Sequence, residues 1–298
     1  MSLSVENVSK KFGEKLVVDN ISFEVKEPGV FGLLGTNGAG KTTTIRMILN
    51  IVKKDSGSIK WNGRPVYEQI QSFGYLPEER GLYPKVKVSE QLMYFAGLRG
   101  VGHEKAKKAI NYWLERLEAE QYINMPAEKL SKGNQQKIQL IASIIHDPGL
   151  IFMDEPFSGL DPVNTDMFKG VIYELIGKDK IIIMSSHQMS TVEEFCRDIV
   201  LLKNGITVLS GDLKKIKHSY GRNNLVVSCE GNIAELAAEE GITSCKQNAA
   251  GYEFKISDEE QAYRLLEKIL SRRLQLDKFE IREPSLHEIF IEKVGEAK

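Results

Sequence analysis

The chain has 298 residues, 42% of them hydrophobic and 27% charged, with a formal net charge of −1 at pH 7. That length holds one large domain or two modest ones, and the near-zero charge excludes the global basic field expected of a nucleic-acid binder. Cys196, Cys229 and Cys245 lie far apart without metal-ligand spacing, which fits reduced thiols better than a disulfide framework.

The opening MSLSVENVSKKFGEK has no charged segment leading into an apolar core, so it does not read as a signal peptide. No run approaches the ~18 uninterrupted apolar residues of a membrane span. Work at a membrane would therefore pass through a partner.

In chain order, LSVENVSKKF and ISFEVKE within residues 1–28 read as two short alternating strands about a turn near Gly13. GVFGLLG (29–35) reads as a buried strand of parallel type. It runs into a Gly-rich loop and the apolar helical run TTIRMILNIV. GSIKWNGRPV is a hairpin signal with an Asn62-Gly63 turn. Residues 87–145 are mostly helical by period, most clearly in SEQLMYFAGL, EKAKKAINYWLERL and QQKIQLIASII. Strands return at LIFMD (150–154), KIIIMSS (180–186) and DIVLLKNG (198–205). Strand, helical block, strand, helix, strand predicts an α/β fold: a mostly parallel sheet with an N-terminal antiparallel β subdomain and a helical insertion.

The texture changes near residue 220, where HSYGRNN is a polar, Gly-containing junction. The expected domains are 1–218, with the helical subdomain at about 87–145, and 222–298. The second reads β-α-β-β-α-β, with strands at 225–229, 242–248, 252–257 and 277–282, helices at 232–239, 258–271 and 285–294, and a hairpin turn at Ala250-Gly251. That order predicts a small α+β ferredoxin-like sandwich, and it carries no catalytic constellation.

GTNGAGKT (35–42) matches G-x-x-x-x-G-K-[ST] between a strand and a helix, where a phosphate-binding P-loop must sit. Gly35, Gly38 and Gly40 let the backbone wrap a phosphate without Cβ clashes. The N–H groups of the loop, with Asn37, Ala39 and Thr43, and the helix start then form a positive concavity. Lys41 supplies a mobile cation for the β- and γ-phosphates, and Thr42 a hydroxyl for Mg²⁺. LIFMDEP (150–156) ends a buried strand with adjacent acids. Asp154 is placed for the Mg²⁺ shell and Glu155 to polarise an attacking water. His187 closes the strand IIIMSS at its carboxyl end, where ligands of open α/β sheets sit, and can meet a γ-phosphate oxygen. His103, His146, His218 and His287 read as ordinary surface or core histidines.

Two stretches remain open on their own. In SGLDP (158–162), Asp161 caps a following helix as readily as it serves a ligand. In EKLSKGNQQKIQL (128–140), Ser131 is a good N-cap, and Ile138, Ile141, Ala142 and Ile145 share a helical face. Yet Asn134 stands where a capping box has Glu or Gln, and Gly133 costs about 1 kcal/mol inside a helix. Alone, the stretch is more simply a cap than an anion site aimed by the helix dipole.

Taken together, residues 1–218 resemble the ATP-binding cassette (ABC) transporter ATPases, P-loop NTPases in which GTNGAGKT is the Walker A motif, LIFMDEP the Walker B motif, SGLDP the D-loop, His187 the switch histidine and LSKGN the LSGGQ-like signature. Three positions depart from that pattern: in the signature Lys132 and Asn134 replace the usual Gly and Gln, and Glu78 occupies the position of the Q-loop glutamine. The resemblance implies that Ser131, Gly133 and Asn134 bind ATP, that Asp161 contributes, that Glu78 reaches Mg²⁺ or its water, and that Phe12, 29 residues before Lys41, stacks on adenine. It also implies a head-to-tail pair of cassettes, self or paralogue, at the inner face of a membrane, working with a separate permease subunit that contacts residues 78–84. The tail's βαββαβ pattern, EPSLHEIFIEKVG and GYLPEERGLYP resemble the ATPases of bacterial ABC-2-type exporters, including sodium-extrusion systems. The competing expectation is a soluble ABC ATPase acting on ribosomes or DNA. Such proteins usually carry two cassettes or long coiled coils, and neither is in this chain. A small-molecule kinase would need no signature or switch histidine, and a degenerate module would lack Lys41, Asp154, Glu155 or His187.

Overall fold

The computed structural model describes residues 2–79, 81–248 and 251–295. Two compact units divide the chain, Met1–Ser210 and Gly211–Lys298.

The first unit opens with β1 (Leu3–Phe12) and β2 (Lys15–Val25), which pair antiparallel. β2 begins six residues before the expected ISFEVKE. The tight turn at Gly13, in left-handed conformation (φ +56°), returns the chain at once, so pairing starts at Phe12↔Lys15. β3 (Gly29–Gly35) follows, then α1 (Lys41–Ile48), then the hairpin β4 (Ser56–Trp61) and β5 (Arg64–Pro65) turning at Asn62-Gly63. β4 joins β1, giving an antiparallel sheet β2-β1-β4-β5. β6 (Phe73–Leu76) leads into the helical block, α2 (Val88–Leu98), α3 (His103–Arg116) and α4 (Lys132–Ile144). The chain then returns through β7 (Leu150–Asp154), α5 (Pro162–Gly177), β8 (Ile181–Ser186), α6 (Met189–Phe195), β9 (Cys196–Lys203) and β10 (Ile206–Asp212).

These strands form a second sheet, β10-β9-β3-β8-β7-β6, parallel from β9 to β6. β7 and β8 are buried along their whole length. That is why LIFM and IIIM are unbroken apolar runs: helices or the other sheet cover both faces. Ile45 and Ile48 of α1 share one core with Leu33 of β3, Phe152 of β7, Ile183 of β8 and Leu3 and Val5 of β1. Each such side chain contributes about 1.5–3 kcal/mol on full burial. The core therefore clamps the P-loop helix between the two sheets.

α4 departs from its expected one-sided pattern. Ile138 and Ile141 are buried as predicted, but so are Gln136, Lys137, Gln139, Leu140 and Ser143. The helix threads the interior of the unit, so its polar side chains must find partners there.

The second unit begins within β10 and continues through α7 (Leu213–Ser219), β11 (Asn224–Cys229), α8 (Ala234–Glu239), β12 (Ser244–Asn248), β13 (Gly251–Lys255), α9 (Glu259–Ser271), β14 (Leu276–Arg282) and α10 (Leu286–Gly295). α7 forms where Leu213 and Ile216 are buried, so the division falls at Ser210, ahead of HSYGRNN. The antiparallel sheet runs β12-β13-β11-β14. The two β-α-β halves interleave, which is the ferredoxin-like arrangement of βαββαβ. Leu225, Val227, Phe254, Ala262, Leu265 and Ile269 make its core. Of the expected Ala250-Gly251 turn, Ala250 lies outside the described residues and Gly251 opens β13.

Candidate nucleotide site

β3, β7 and β8 lie side by side, so their carboxyl ends deliver the P-loop, the acid pair and His187 to one rim of the sheet. The loop after β3 needs its glycines. A Cβ on Gly35 (φ +149°) would stand 2.5 Å from the Leu202 carbonyl oxygen, and one on Gly40 (φ +104°) 2.9 Å from that of Val17. Both values lie well inside contact distance, so only glycine closes the loop this tightly.

Lys41 is buried, and its Nζ donates to the carbonyl oxygens of Gly35 (2.9 Å) and Thr36 (3.3 Å). The same Nζ lies 3.4 Å from Glu155 Oε1. The other carboxylate oxygen of Glu155 accepts from His187 Nδ1 at 2.9 Å and from the His187 backbone N–H at 3.4 Å. Glu155 is itself buried, whereas the His187 side chain is half exposed. Glu155 also holds a left-handed backbone conformation (φ +49°), which costs a non-glycine residue about 1–2 kcal/mol. Strain of that kind persists where surrounding contacts fix the residue, as the lysine and histidine do here.

Asp154 is fully buried at the end of β7. Thr42 Oγ1 donates to its Oδ1 at 3.1 Å, and Ser185 Oγ donates to the same oxygen. Ser185 pairs with Asp154 across the β7–β8 register, and its Oγ accepts the Glu155 N–H at 3.1 Å. Asp154 Oδ2 is buried with no hydrogen-bond partner. A buried polar oxygen left that way costs about 1–3 kcal/mol. An unpaired carboxylate oxygen beside a threonine hydroxyl is a donor set that suits Mg²⁺, which takes one or two protein ligands and completes its shell with phosphate oxygens and water. Among the described residues no cluster of three or more His, Cys, Asp or Glu side chains exists to hold a metal by protein ligands alone. Close by, Tyr75 is pushed upward in pKa by burial and by the charge of Asp154.

A cleft of about 280 Å³ opens on these groups. Asn37, Gly38, Ala39, Gly40, Lys41, Thr42 and Thr43 line it, together with Glu78, Glu155 and Val17. Gly35 lies beneath it as the acceptor for Lys41. Phe12 is not in its wall. It ends β1 with its ring 48% exposed, under the Lys10 ammonium at 5.3 Å.

Ser131, Gly133, Asn134 and Asp161 do not line the cleft either. Ser131 caps α4, accepting the Asn134 N–H at 3.3 Å, while its hydroxyl proton stays available for donation. Asn134 Nδ2 donates to the Tyr122 hydroxyl at 2.7 Å, an internal use for a residue that departs from the signature pattern. Nothing in the structure explains the exposed Lys132. Asp161 caps α5, accepting from the Asn164 N–H at 2.9 Å, and this bond holds its carboxyl below the usual range. A Cβ on Gly133 would stand 3.0 Å from Asn164 Nδ2, so the glycine first of all clears room for an asparagine of its own chain.

Sequence reasoning missed Ser185, Asn164, Tyr122 and the buried glutamines of α2 and α4. The polar Ser185-Ser186 pair ending an apolar strand was the available signal for the first. The glutamines look like surface helix residues until the fold buries them.

A triphosphate cradle, a buried aspartate bonded to a P-loop threonine, and a glutamate held between lysine and histidine define a P-loop nucleoside triphosphatase. The comparisons narrow this. The ABC transporter family model matches residues 18–158, and that of the ATP-binding protein DrrA1-3-like C-terminal domain matches 211–294. An uncharacterized ABC transporter ATP-binding protein of Bacillus subtilis, YhaQ, is 46% identical over 294 residues, covering 98% of both chains. The Nod factor export ATP-binding protein I of Ralstonia nicotianae is 34% identical over 74% of this chain and 70% of its own. The solved structure of an ATP-binding subunit of an ABC transporter superposes with a TM-score of 0.70 at 28% identity, covering 80% of this chain and 99% of that one. The chain belongs to the ABC transporter ATP-binding proteins: it is the ATPase, nucleotide-binding subunit of such a transporter.

Proposed function

We propose that two cassettes, this chain with a copy or a paralogue, close head to tail around ATP and that hydrolysis drives export through a separate permease subunit. The observation that carries the catalytic part is the Lys41–Glu155–His187 chain of contacts. Lys41 leaves the Gly35 and Thr36 carbonyls to meet the β- and γ-phosphates. Thr42 and Asp154, with Glu78 across the cleft, would hold Mg²⁺, which supplies charge neutralisation of the phosphates. Lys41, drawn to the phosphates, frees Glu155 Oε1 to accept a proton of the attacking water. His187 donates from Nδ1 to the other oxygen of Glu155, and only a ring that carries a proton on Nε2 as well would also donate to a γ-phosphate oxygen. Phe12, exposed at the end of β1, offers a face for adenine.

The head-to-tail part is supported by the distance in the fold between the signature and the cleft: Ser131 and Gly133 head α4 but do not line the P-loop pocket. The signature of a second cassette would close that pocket and exclude water, while Asp161 sits at the facing loop. Among the described residues no helix is long and apolar enough to cross a membrane. The proposed placement, peripheral at the inner face of the membrane through the permease, follows from the role as partner of a permease subunit. Its docking surface is read as a groove of about 360 Å³ bordered by Gly81, Leu82, Phe95, Leu98 and Arg99, next to the expected 78–84 contact. The Nod factor export relative favours the export direction.

Complementation tests the paired arrangement. Lys41→Ala and Ser131→Arg proteins should each be inactive, and mixing them should restore ATPase activity by assembling one intact composite site. No recovery on mixing, with both proteins folded, would refute a site shared between two copies of this chain and leave the paralogue as the partner to be tested in the same way. Recovery of the tagged chain from cells with ribosomes rather than with an integral membrane protein would overturn the transport reading.

A further inference from the structure

The segment that joins β6 to α2 carries Glu78 into the cleft, yet its described residues lie outside the strands and helices. A loop at the edge of a ligand site must find partners for its backbone groups somewhere. Here they come from the helical block. Gln139 of α4, only 6% exposed, donates from Nε2 to the carbonyl oxygens of Pro77 (3.2 Å) and Glu79 (3.0 Å). Its Oε1 accepts the Gly81 N–H at 3.3 Å. Gln91 of α2, 1% exposed, accepts the Tyr83 N–H at 2.8 Å and donates to the carbonyls of Tyr83 (3.1 Å) and Val86 (2.7 Å). Backbone bonds from Glu128 to Pro84 (2.9 Å) and from Ala127 to Val86 (3.3 Å) add a third attachment, just ahead of the signature. The Tyr83 ring stacks on Phe95 of α2.

Glu78 therefore stands between two latched neighbours, Pro77 and Glu79, and both latches are one side chain. That side chain sits eight positions after Ser131 on the same helix and also borders the groove that contains Phe95 and Leu98. A glutamine suits the task because its amide offers two donors and an acceptor, so it can grip both polarities of a backbone. Burial strengthens the grip and raises the penalty for losing it.

We propose that Gln139, seconded by Gln91, is a positioning residue that ties the Glu78 loop to the helical block, so that Glu78 shifts in the nucleotide cleft whenever α4 shifts. The proposal rests on the reading of the cleft as the ATP site, with Glu78 serving the metal side. It makes α4 a lever with Ser131 at one end, the groove along its flank and Glu78 on its latch.

The test uses the full-length chain and reads ATP binding, not turnover. Wild type, Glu78→Gln, Gln139→Leu and the double variant are titrated with a fluorescent ATP analogue, with and without Mg²⁺. Gln139→Leu should weaken the Mg²⁺-dependent part of binding several-fold and leave Mg²⁺-free binding as in wild type. In the double variant the Gln139 change should add nothing to the Glu78 change. Additive losses, or equal losses with and without Mg²⁺, would mean that Gln139 only supports the fold. Should Gln139→Leu not fold, amide exchange on the wild type decides: the Gly81 and Tyr83 amides should exchange slowly, and open-loop rates at both overturn the proposal. Failure of the underlying ATP-site reading looks different, because wild type itself would then show no Mg²⁺-dependent ATP binding.

Discussion

His187 Nδ1 donates to Glu155 Oε2 across 2.9 Å, while Lys41 Nζ lies 3.4 Å from the other oxygen of the same carboxylate. Glu155 is thus held from both sides, on a left-handed backbone, with its charge pointed at the cleft. This arrangement orients the carboxylate before any substrate arrives, and positioning of that kind is what the proposed role as general base requires.

Glu155→Gln keeps the shape but removes the basic oxygen. ATP turnover should fall by about 10²-fold or more, while ATP binding persists and a nucleotide-bound dimer accumulates on gel filtration. Near wild-type hydrolysis by this variant would show that another group activates the water.

Ser185 links the two acids, donating to Asp154 Oδ1 and accepting the Glu155 N–H. Ser185→Ala should cost about 1 kcal/mol of stability by removing these two bonds, since Thr42 still donates to Asp154 and the Glu155 N–H still donates to the Ser185 carbonyl at 3.2 Å; it is read as a lower urea midpoint, with kcat reduced alongside. Unchanged stability would mean that Thr42 alone suffices to hold Asp154.

Gly133→Ala brings a methyl group to 3.0 Å from Asn164 Nδ2. The neighbour must yield, and its amide is committed to Asp161. ATPase activity should drop, and a second change, Asn164→Ala, should restore much of it. No restoration would mean that the glycine is needed for what approaches from outside the chain, not for the asparagine within it.

Glu288 gives a pH signature in the second unit. Burial alone would raise its pKa, but the Ser285 N–H and hydroxyl and the Asn224 amide outweigh it and hold the carboxyl down to about 2. A depressed carboxyl stabilises the folded state above its unfolded value, 4.5, and that contribution drains away as pH falls through the window down to about 2. Glu288→Gln should lower the urea midpoint of this unit near neutral pH, and the gap to wild type should narrow steadily below pH 4.5. A gap that stays constant with pH would show that the bonds, not the charge, carry the effect.

Much of the architecture was legible in order and type because each signal is local. Apolar runs such as LIFM and IIIM mark strands covered on both faces, and β7 and β8 are those strands. The β-α-β-β-α-β reading of the tail matches its sheet order. Boundaries were less legible. β2 started early because Gly13 turned the chain, and α7 formed in a stretch where only Leu213 and Ile216 are apolar enough to be buried. The amphipathic reading of α4 identified its buried face, Ile138, Ile141 and Ile145, but not the buried Gln136, Lys137 and Gln139: periodicity reports which face is apolar, and it cannot show that a polar face is buried against backbone acceptors.

By itself the sequence determined the chemistry carried on contiguous backbone: the glycine loop of residues 35–42 with its lysine and threonine, the acid pair after an apolar strand, and the capped start of α4. These depend on dihedral freedom and side-chain type within a few residues, so a linear text is enough. Only the tertiary structure decided which of them meet. Thr42 reaches Asp154 across 112 residues because β3, β8 and β7 are neighbours in one sheet, and Gln139 grips a loop about 60 residues before it because both border the helical block. Such contacts are fixed by strand order and burial, which arise only when the whole chain packs.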